Sequence, residues 1–110
     1  MVRDKIREAF TERVKAIDPI FKRGDLAAFW PALRDLVAMA RDRVDLSRKK
    51  SHYLASLAIR SIERGDTHAA LAFLDFADRV LEPSHMIPFL LQERANYRRQ
   101  AEALVSNTQS

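Results

Sequence analysis

Arg23-Gly24-Asp25 and Arg64-Gly65-Asp66 are two copies of one tripeptide, and they contain the only two glycines of the chain. Each copy stands between two stretches in which apolar residues recur with helical spacing. Glycine readily takes the left-handed conformation that ends a helix, and an aspartate directly after it can accept hydrogen bonds from the first N–H groups of the next helix. Each tripeptide therefore predicts a tight turn between two helices, and the repetition predicts consecutive helical hairpins.

Length and composition indicate one domain of ordinary size. The chain has 110 residues, of which 47% are hydrophobic, and this is enough for a buried core. It has no cysteine, which excludes disulfides, thiolate metal sites and cysteine nucleophiles and fits a reducing compartment. We expect a single helical domain over residues 1–105 and a frayed, polar C-terminal tail over residues 106–110.

The distribution of charge argues against export and against membrane contact. Residues 1–8 interleave charged with apolar side chains and so lack the continuous apolar stretch of a signal peptide. The longest uncharged stretches, residues 26–33, 67–74 and 83–92, are far shorter than the roughly 18 residues that span a bilayer. We therefore expect a cytoplasmic protein.

Helical periodicity divides the first half into two segments. Residues 2–17 have the spacing of an amphipathic helix, which Asp18 and Pro19 are expected to end, starting a short helical turn. A second apolar stripe covers residues 29–44. Because proline is tolerated in a first turn and disruptive later, the regular part of this second helix should begin near Pro31.

The second half should contain the centre of the core. Residues 45–51 are polar and basic and are the expected connection between the halves. A third helix ends at Gly65, and a fourth covers residues 67–81. The fourth is apolar over most of its circumference, so we expect other helices to cover it. A last helix should run from about residue 85 or 87 to residue 105.

These segments predict an all-α fold. We expect a small bundle of consecutive antiparallel helical hairpins, with four main helices and a short helical turn, arranged around residues 67–81. Ala70 and Ala77 lie seven residues apart on one face of that helix, where another helix must approach closely. Trp30 shares a stripe with Leu33 and Val37, which favours a core position; the alternative is an exposed anchor for a partner.

Large and small apolar residues alternate at set places on both sides of the second turn. The apolar residues concerned are Leu54, Leu57, Ala58, Ala70, Leu74 and Ala77. Gly65 and Asp66 form the turn between them, and Pro83 closes the segment. This pattern, over about residues 51–83, resembles one tetratricopeptide repeat, a pair of antiparallel helices of about 34 residues. The same register upstream would need a helix at Pro19 and a small residue at Phe29, so we expect no tandem copy.

The resemblance implies a scaffold that binds a peptide or a helix of another protein. In that family the groove is lined by the first helix of the pair, on the face turned away from its partner helix. Carried over to this chain, the face consists of His52, Ala55, Ile59 and Glu63. The alternative for Ile59 is that it packs on another helix of this domain or on a second copy.

The pattern of polar residues does not indicate an enzyme. His52, His68 and His85 are scattered and lack the spacing of zinc ligands. Two separate glycines do not make a phosphate-binding loop, and acidic residues mostly have a basic neighbour at helical spacing, such as Asp75 with Arg79. We therefore expect no catalytic residue, no metal and no cofactor.

The basic residues allow a second interpretation. The net charge is +4, with fourteen arginines and five lysines, which favours acidic partners. The candidates for binding an anion or a nucleic acid are Arg48, Lys49 and Lys50 beside the connection, together with Arg94, Arg98 and Arg99 on the last helix. The alternative is that these residues, with Arg41 and Arg43, form a solvated surface.

The function expected from the sequence is a non-catalytic protein–protein interaction or adaptor module. The alternative is a small basic regulatory protein that binds DNA or RNA. A homodimer is a further expectation, because Phe21, Ile59, Phe89 and Leu91 lie off the stripes that a simple stack of hairpins would bury. A two-fold contact through the last helix would cover them and leave Arg94 and Arg98 at its rim.

Overall fold

A computed structural model describes residues 4–41, 43–81 and 88–108, and in the last range the side chains of residues 91–106. It contains five α-helices and one short 3-10 helix: α1 (Lys5–Lys22), α2 (Leu26–Met39), the 3-10 helix (Val44–Leu46), α3 (Ser47–Glu63), α4 (Thr67–Val80) and α5 (Pro88–Thr108). No strand occurs among the described residues, and the prediction of an all-α fold is confirmed. None of the described helices combines the length and apolar character needed to cross a membrane.

The chain divides into two compact units. Met1–Leu46 contains the hairpin of α1 and α2, and Ser47–Ser110 contains α3, α4 and α5. The boundary falls inside the expected connection, but residues 47–51 belong to α3 instead of a loop. Arginine and lysine are good helix formers, so a basic stretch does not by itself end a helix. A single domain over residues 1–105 stays a prediction.

Both glycines have the left-handed conformation that the tripeptides predict, with φ of +78° at Gly24 and +80° at Gly65. In the first turn the N–H of Gly24 donates to the carbonyl oxygen of Phe21 at 2.9 Å, and the N–H of Asp25 donates to that of Ile20 at 3.3 Å. These two hydrogen bonds define a Schellman motif, which satisfies carbonyl groups that the end of a helix leaves open.

The second turn repeats this arrangement. The N–H of Gly65 donates to the carbonyl oxygen of Ile62 at 2.9 Å, and the N–H of Asp66 donates to that of Ser61 at 2.9 Å. The Asp66 carboxylate in turn accepts a hydrogen bond from the N–H of Ala69 at 3.1 Å. One residue therefore closes α3 with its backbone and opens α4 with its side chain.

The same double role falls to Asp25, whose carboxylate accepts a hydrogen bond from the N–H of Ala28 at 3.2 Å. It caps α2, which begins at Leu26, so the prediction that the regular helix starts near Pro31 is wrong. The proline lacks one N–H, but the residues around it, Phe29 and Leu33, are fully buried. Burial of two large side chains offsets the lost hydrogen bond.

Helix α1 runs through Pro19, which was expected to end it. Ile17 and Phe21 lie on either side of the proline and are both buried. The rings of Phe21 and Phe29 have centroids 5.4 Å apart, which anchors the end of α1 against α2. Phe21 is therefore a core residue, and its expected place off the buried stripe is wrong.

Val44 and Trp30, which both belong to the second stripe, have different environments. Val44 is 54% exposed, because α2 ends at Met39 and the helical spacing does not continue into the 3-10 helix. Trp30 is half-buried.

The last helix departs from the prediction in its length, and the number of helices differs as well. It extends to Thr108 instead of residue 105, since no glycine or proline follows to stop it. Residues 109–110 and the expected helix start near residue 85 or 87 lie outside the described residues. The described residues contain five α-helices, one for each helical segment of the sequence, whereas four main helices were expected, and the short helical turn lies at residues 44–46 instead of Pro19.

Helix α4 is the central element of its unit, as predicted. It packs against both α3 and α5, and its buried residues are Ala69, Ala70, Phe73, Leu74, Phe76 and Ala77. Ala70 and Ala77 are fully buried, which fits their role as small residues at a close helix contact.

The second helices of the two hairpins share one burial register. The buried residues four, eight, eleven and fifteen positions after the capping aspartate are Phe29, Leu33, Leu36 and Ala40 in the first hairpin, and Ala70, Leu74, Ala77 and Leu81 in the second. Pro19 does not interrupt its helix, so this objection to a shared register does not hold. The tetratricopeptide resemblance itself stays a prediction.

Replacing Gly24 or Gly65 by alanine is expected to lower the free energy of unfolding by about 1 kcal/mol or more, because a side chain is disfavoured at positive φ. Beyond the adjoining residues, no heavy atom lies within 4 Å of the position that either new Cβ would take. The cost is therefore conformational, and asparagine should recover part of it. Urea unfolding measures the difference, and a Gly65→Ala protein as stable as the wild type would contradict the turn.

Ala77→Leu is expected to lower the free energy of unfolding by roughly 1–3 kcal/mol through overpacking, because Ala77 is fully buried beside another helix. The matched control is Ala103→Leu at an exposed position of α5 in the same unit, which should be nearly neutral. Thermal and urea unfolding compare the two. Equal stability of both variants would show that Ala77 is not at a close helix contact.

Candidate functional site

Two of the arginines that were candidates for binding an anion or a nucleic acid pair with residues of α4. Arg98 Nη1 lies 2.9 Å from Asp75 Oδ1, and its Nη2 donates to Asp78 Oδ2 at 2.7 Å. Arg94 Nη1 donates to the buried carbonyl oxygen of Ala77 at 3.3 Å, and its Nε lies 3.4 Å from Asp78 Oδ1. We call Asp75, Asp78, Arg94 and Arg98 the α4–α5 ladder.

The ladder changes the interpretation of its arginines and of Asp75. Arg94 is only 8% exposed, so the expectation that it lies at an accessible rim is wrong. Burial lowers the pKa of Arg98, but the hydrogen bond and charge of Asp75 and the charge of Asp78 outweigh this and raise it. Asp75 pairs across helices in this way, while Arg79, its expected neighbour, lies over the Phe76 ring at 5.9 Å from the centroid.

The other basic candidates differ in accessibility. Arg48 and Lys49 are exposed in the first turn of α3, whereas Lys50 is only 4% exposed. Arg99 is exposed and its guanidinium donates to the side-chain oxygen of Asn96. Arg48, Lys49 and Arg99 are therefore the candidates that solvent can reach.

The four residues of the expected peptide groove share one side of α3, as their spacing requires. His52 and Glu63 are exposed, Ile59 is half-buried, and Ala55 is 6% exposed. A ligand on this face would contact the first three. We call His52, Ile59 and Glu63 the α3 face; its role in binding stays a prediction.

A second charge cluster, in the Met1–Leu46 unit, was not predicted. Arg43 donates to both carboxylate oxygens of Asp4, at 3.0 and 2.5 Å, and to both of Asp45, at 2.8 and 2.6 Å. Arg7 Nη2 also donates to Asp45, at 2.9 Å. We call these four residues the N-terminal clasp. It joins the start of α1 to the segment that follows α2, and its formal charges cancel.

The clasp has a clear electrostatic signature. The hydrogen bonds from Arg43 and from the backbone N–H of Arg7 hold the pKa of Asp4 well below its usual range. The hydrogen bonds from Arg43 also lower the pKa of Asp45, to about 2. The two carboxylates raise the pKa of Arg43 in return. Arg43, counted as a free cation in the sequence, is therefore a structural residue.

An open pocket of about 440 Å³ lies along α5. The described residues that line it are Gln92, Glu93, Asn96, Tyr97 and Gln100, and we call this site the α5 pocket. These residues were not singled out in the sequence analysis. Spacings of one, four, five and eight residues along a helix would have placed these side chains on one face.

The α5 pocket offers mainly uncharged hydrogen-bonding groups, together with one carboxylate. Burial, together with the nearby Glu93 carboxylate, raises the pKa of the Tyr97 phenol. The hydroxyl therefore stays protonated at neutral pH and can both donate and accept a hydrogen bond. Gln92 and Gln100 each offer a carbonyl oxygen and an NH₂ group, and Asn96, whose side-chain oxygen already accepts a hydrogen bond from Arg99, offers its NH₂ group.

The histidines are separate. His52 is exposed in the second turn of α3, His68 is exposed in the first turn of α4, and His85 lies outside the described residues. In the part of the chain that the structure describes, no group of three or more His, Cys, Asp or Glu side chains could hold a metal ion. The absence of catalytic, cofactor and metal residues stays a prediction.

The clasp predicts a specific pH dependence. Because the carboxyl pKa values are lower in the folded protein than the usual 3.8, ionised Asp4 and Asp45 stabilise the fold above about pH 4. This contribution shrinks as the pH falls further, and the part from Asp45 is lost towards about pH 2. The stability difference between wild type and Arg43→Gln should therefore be constant near neutral pH and shrink below about pH 4. Urea unfolding from pH 7 to pH 2 measures it, and a difference that does not shrink would contradict the clasp.

Comparisons of the chain with models of protein families, with curated proteins and with solved structures found no match.

Proposed function

We propose that this chain is a non-catalytic protein-interaction module, an adaptor of the cytoplasm that binds a segment of another protein. The observation that carries the proposal is the α5 pocket, which combines one tyrosine with three side-chain amides on one helix face. Tyrosine is enriched at the centres of protein interfaces, and amide side chains supply adaptable hydrogen bonds there.

The pocket fits a peptide for chemical reasons. The Tyr97 ring offers apolar area with few rotatable bonds, and its protonated hydroxyl can bond a backbone carbonyl. The amides of Gln92 and Gln100 and the NH₂ group of Asn96 match the alternating N–H and C=O groups of a main chain. Glu93 adds a negative charge, which favours a segment with a basic or N–H-rich side.

The ladder and the clasp weigh against the alternative, a small regulatory protein that binds DNA or RNA. Arg94, Arg98 and Arg43 already have carboxylate partners at hydrogen-bond or ion-pair distance. A phosphate would have to displace those carboxylates, so these arginines add little to phosphate affinity. Arg48, Lys49 and Arg99 remain available to the alternative.

The α3 face is a second surface for the same function. His52 and Glu63 are exposed there and flank the half-buried Ile59, so a peptide could meet an apolar residue between two polar ones. Its support is the tetratricopeptide resemblance, whereas the support for the α5 pocket is an open depression of about 440 Å³. We therefore place the binding site in the α5 pocket first.

Site-specific photo-crosslinking in the native cell tests the proposal. A photoreactive amino acid replaces Gln100 in the α5 pocket, Glu63 on the α3 face or Arg48 on the basic stretch, in three separate chains. We expect the Gln100 chain to form adducts with protein that survive nuclease treatment. Tyr97→Ala in that chain should reduce them at least tenfold, while His68→Ala, at an exposed position of α4, should leave them unchanged.

Three results would contradict this assignment. Adducts that disappear with nuclease and form best at Arg48 would favour the nucleic-acid alternative. Oligonucleotide affinity that falls steeply with salt and depends on Arg48 and Lys49 would favour it as well, because phosphate neutralisation releases counterions. Nuclease-resistant adducts only at Glu63 would move the binding site to the α3 face.

A further inference from the structure

The Glu93 carboxylate is available to a ligand. Glu93 is half-buried and lines the α5 pocket. Its neighbours Arg94 and Arg98 pair with carboxylates of α4 instead. In the part of the chain that the structure describes, no ion pair or hydrogen bond engages the side chain of Glu93. Because a half-buried carboxylate has lost part of its contact with water, a cation that reaches it gains more than it would at a fully exposed one.

A cation of this chain already lies on another side of the pocket. Arg99 is exposed, and its guanidinium donates to the side-chain oxygen of Asn96. Its positive charge disfavours a second cation near Asn96, whereas the charge of Glu93 favours one. The two charges therefore give the pocket a direction, with the place for a ligand cation at Glu93.

The groups around Glu93 fit a guanidinium better than an ammonium. Tyr97 follows Glu93 by four residues, so the two side chains lie one turn apart on the same side of α5. A planar guanidinium can lie on an aromatic ring and donate to both oxygens of a carboxylate, and the carbonyl oxygens of Gln92 and Gln100 can accept its other N–H groups. An ammonium is compact and more strongly hydrated, and it cannot form the same set of contacts.

An exposed apolar side chain continues this surface. Leu104 is 39% exposed and lies about three helical turns after Glu93, so both side chains project from the same side of α5. At about 1.5 Å per residue, the two positions are about 16 Å apart along the helix axis. An extended segment, which rises about 3.3 Å per residue, covers this distance in about five residues.

We propose that the α5 pocket binds an extended segment of the partner with two anchors. One anchor is an arginine whose guanidinium lies on the Tyr97 ring and pairs with Glu93, and the other is an apolar residue about five positions away that packs on Leu104. Gln100 lies between the anchors and supplies hydrogen bonds to the main chain of the segment. This inference rests on the proposed function, because it names the chemistry of the ligand for the same site.

Peptide libraries test the proposal with the full-length protein. Each library carries one fixed residue, which is arginine, citrulline, lysine or glutamate, and random residues elsewhere. Citrulline has the shape of arginine without its charge. We expect the arginine library to bind about tenfold more tightly than the citrulline library, and also more tightly than the lysine library. In a second series with fixed arginine, a leucine moved along the peptide should bind best about five positions from it.

Variants of the pocket test which residue reads the arginine. Glu93→Gln should bring the arginine and citrulline libraries to equal affinity, whereas Glu102→Gln, at an exposed position of α5, should keep the preference. Tyr97→Leu should reduce the preference for arginine over lysine, and Tyr97→Phe should keep it because the ring remains. Each result is a ratio of two affinities in one protein, so a variant that is merely less stable does not change it.

Several results would overturn the proposal. Libraries that bind alike or not at all would do so, and so would an arginine preference that persists in Glu93→Gln. A lysine library that binds as tightly as the arginine library would exclude the guanidinium. A preference for the glutamate library that depends on Arg99 would indicate an acidic segment instead.

The crosslinking at Gln100 separates failure of this inference from failure of the proposed function. An absence of nuclease-resistant adducts at Gln100 contradicts the function itself. Adducts that form in the wild type and keep the same yield in Glu93→Gln leave the function in place and overturn the arginine contact.

Discussion

The architecture depends on one local constraint, a left-handed glycine followed directly by an aspartate. At Gly24 and Gly65 the chain leaves one helix through a Schellman motif, and the next residue already caps the following helix. Between the first two helices only Gly24 separates Arg23, which caps the end of α1, from Asp25, which caps the start of α2. So short a connection holds the helices of a hairpin close together. The apolar faces of both helices can then meet only in a narrow range of registers, which explains why the buried positions after Asp25 and Asp66 coincide.

The fold was predictable where its determinants are local. One tripeptide determines each turn, and the spacing of the apolar residues determines most of each helix. The errors at Pro19 and Pro31 have one cause: the preference of proline for helix ends is local, whereas the burial of the phenylalanines beside both prolines is tertiary. Val44 is the opposite case. The apolar spacing that predicted the second helix continues to Val44, but α2 ends at Met39.

The N-terminal clasp and the α4–α5 ladder were less predictable, because their residues are far apart in the sequence. Asp4 and Arg43 are 39 residues apart, and only the closed hairpin brings them together. The ladder did have a signal: carboxylates three residues apart on α4 precede arginines four residues apart on α5, and facing helices with such complementary stripes tend to pair. This pairing was missed because the arginines were considered by charge alone, and net charge does not show which cations already have a partner.

A double-mutant cycle tests most directly the claim that the α5 arginines serve the fold instead of a phosphate ligand. Arg98→Ala is made in the wild type and in a chain that carries Asp75→Ala and Asp78→Ala, and urea unfolding and oligonucleotide affinity are measured for all four proteins. The account predicts a coupling of about 0.5 kcal/mol or more in stability, and no loss of oligonucleotide affinity in any variant. Additive effects on stability, together with an Arg98-dependent loss of oligonucleotide affinity, would contradict it.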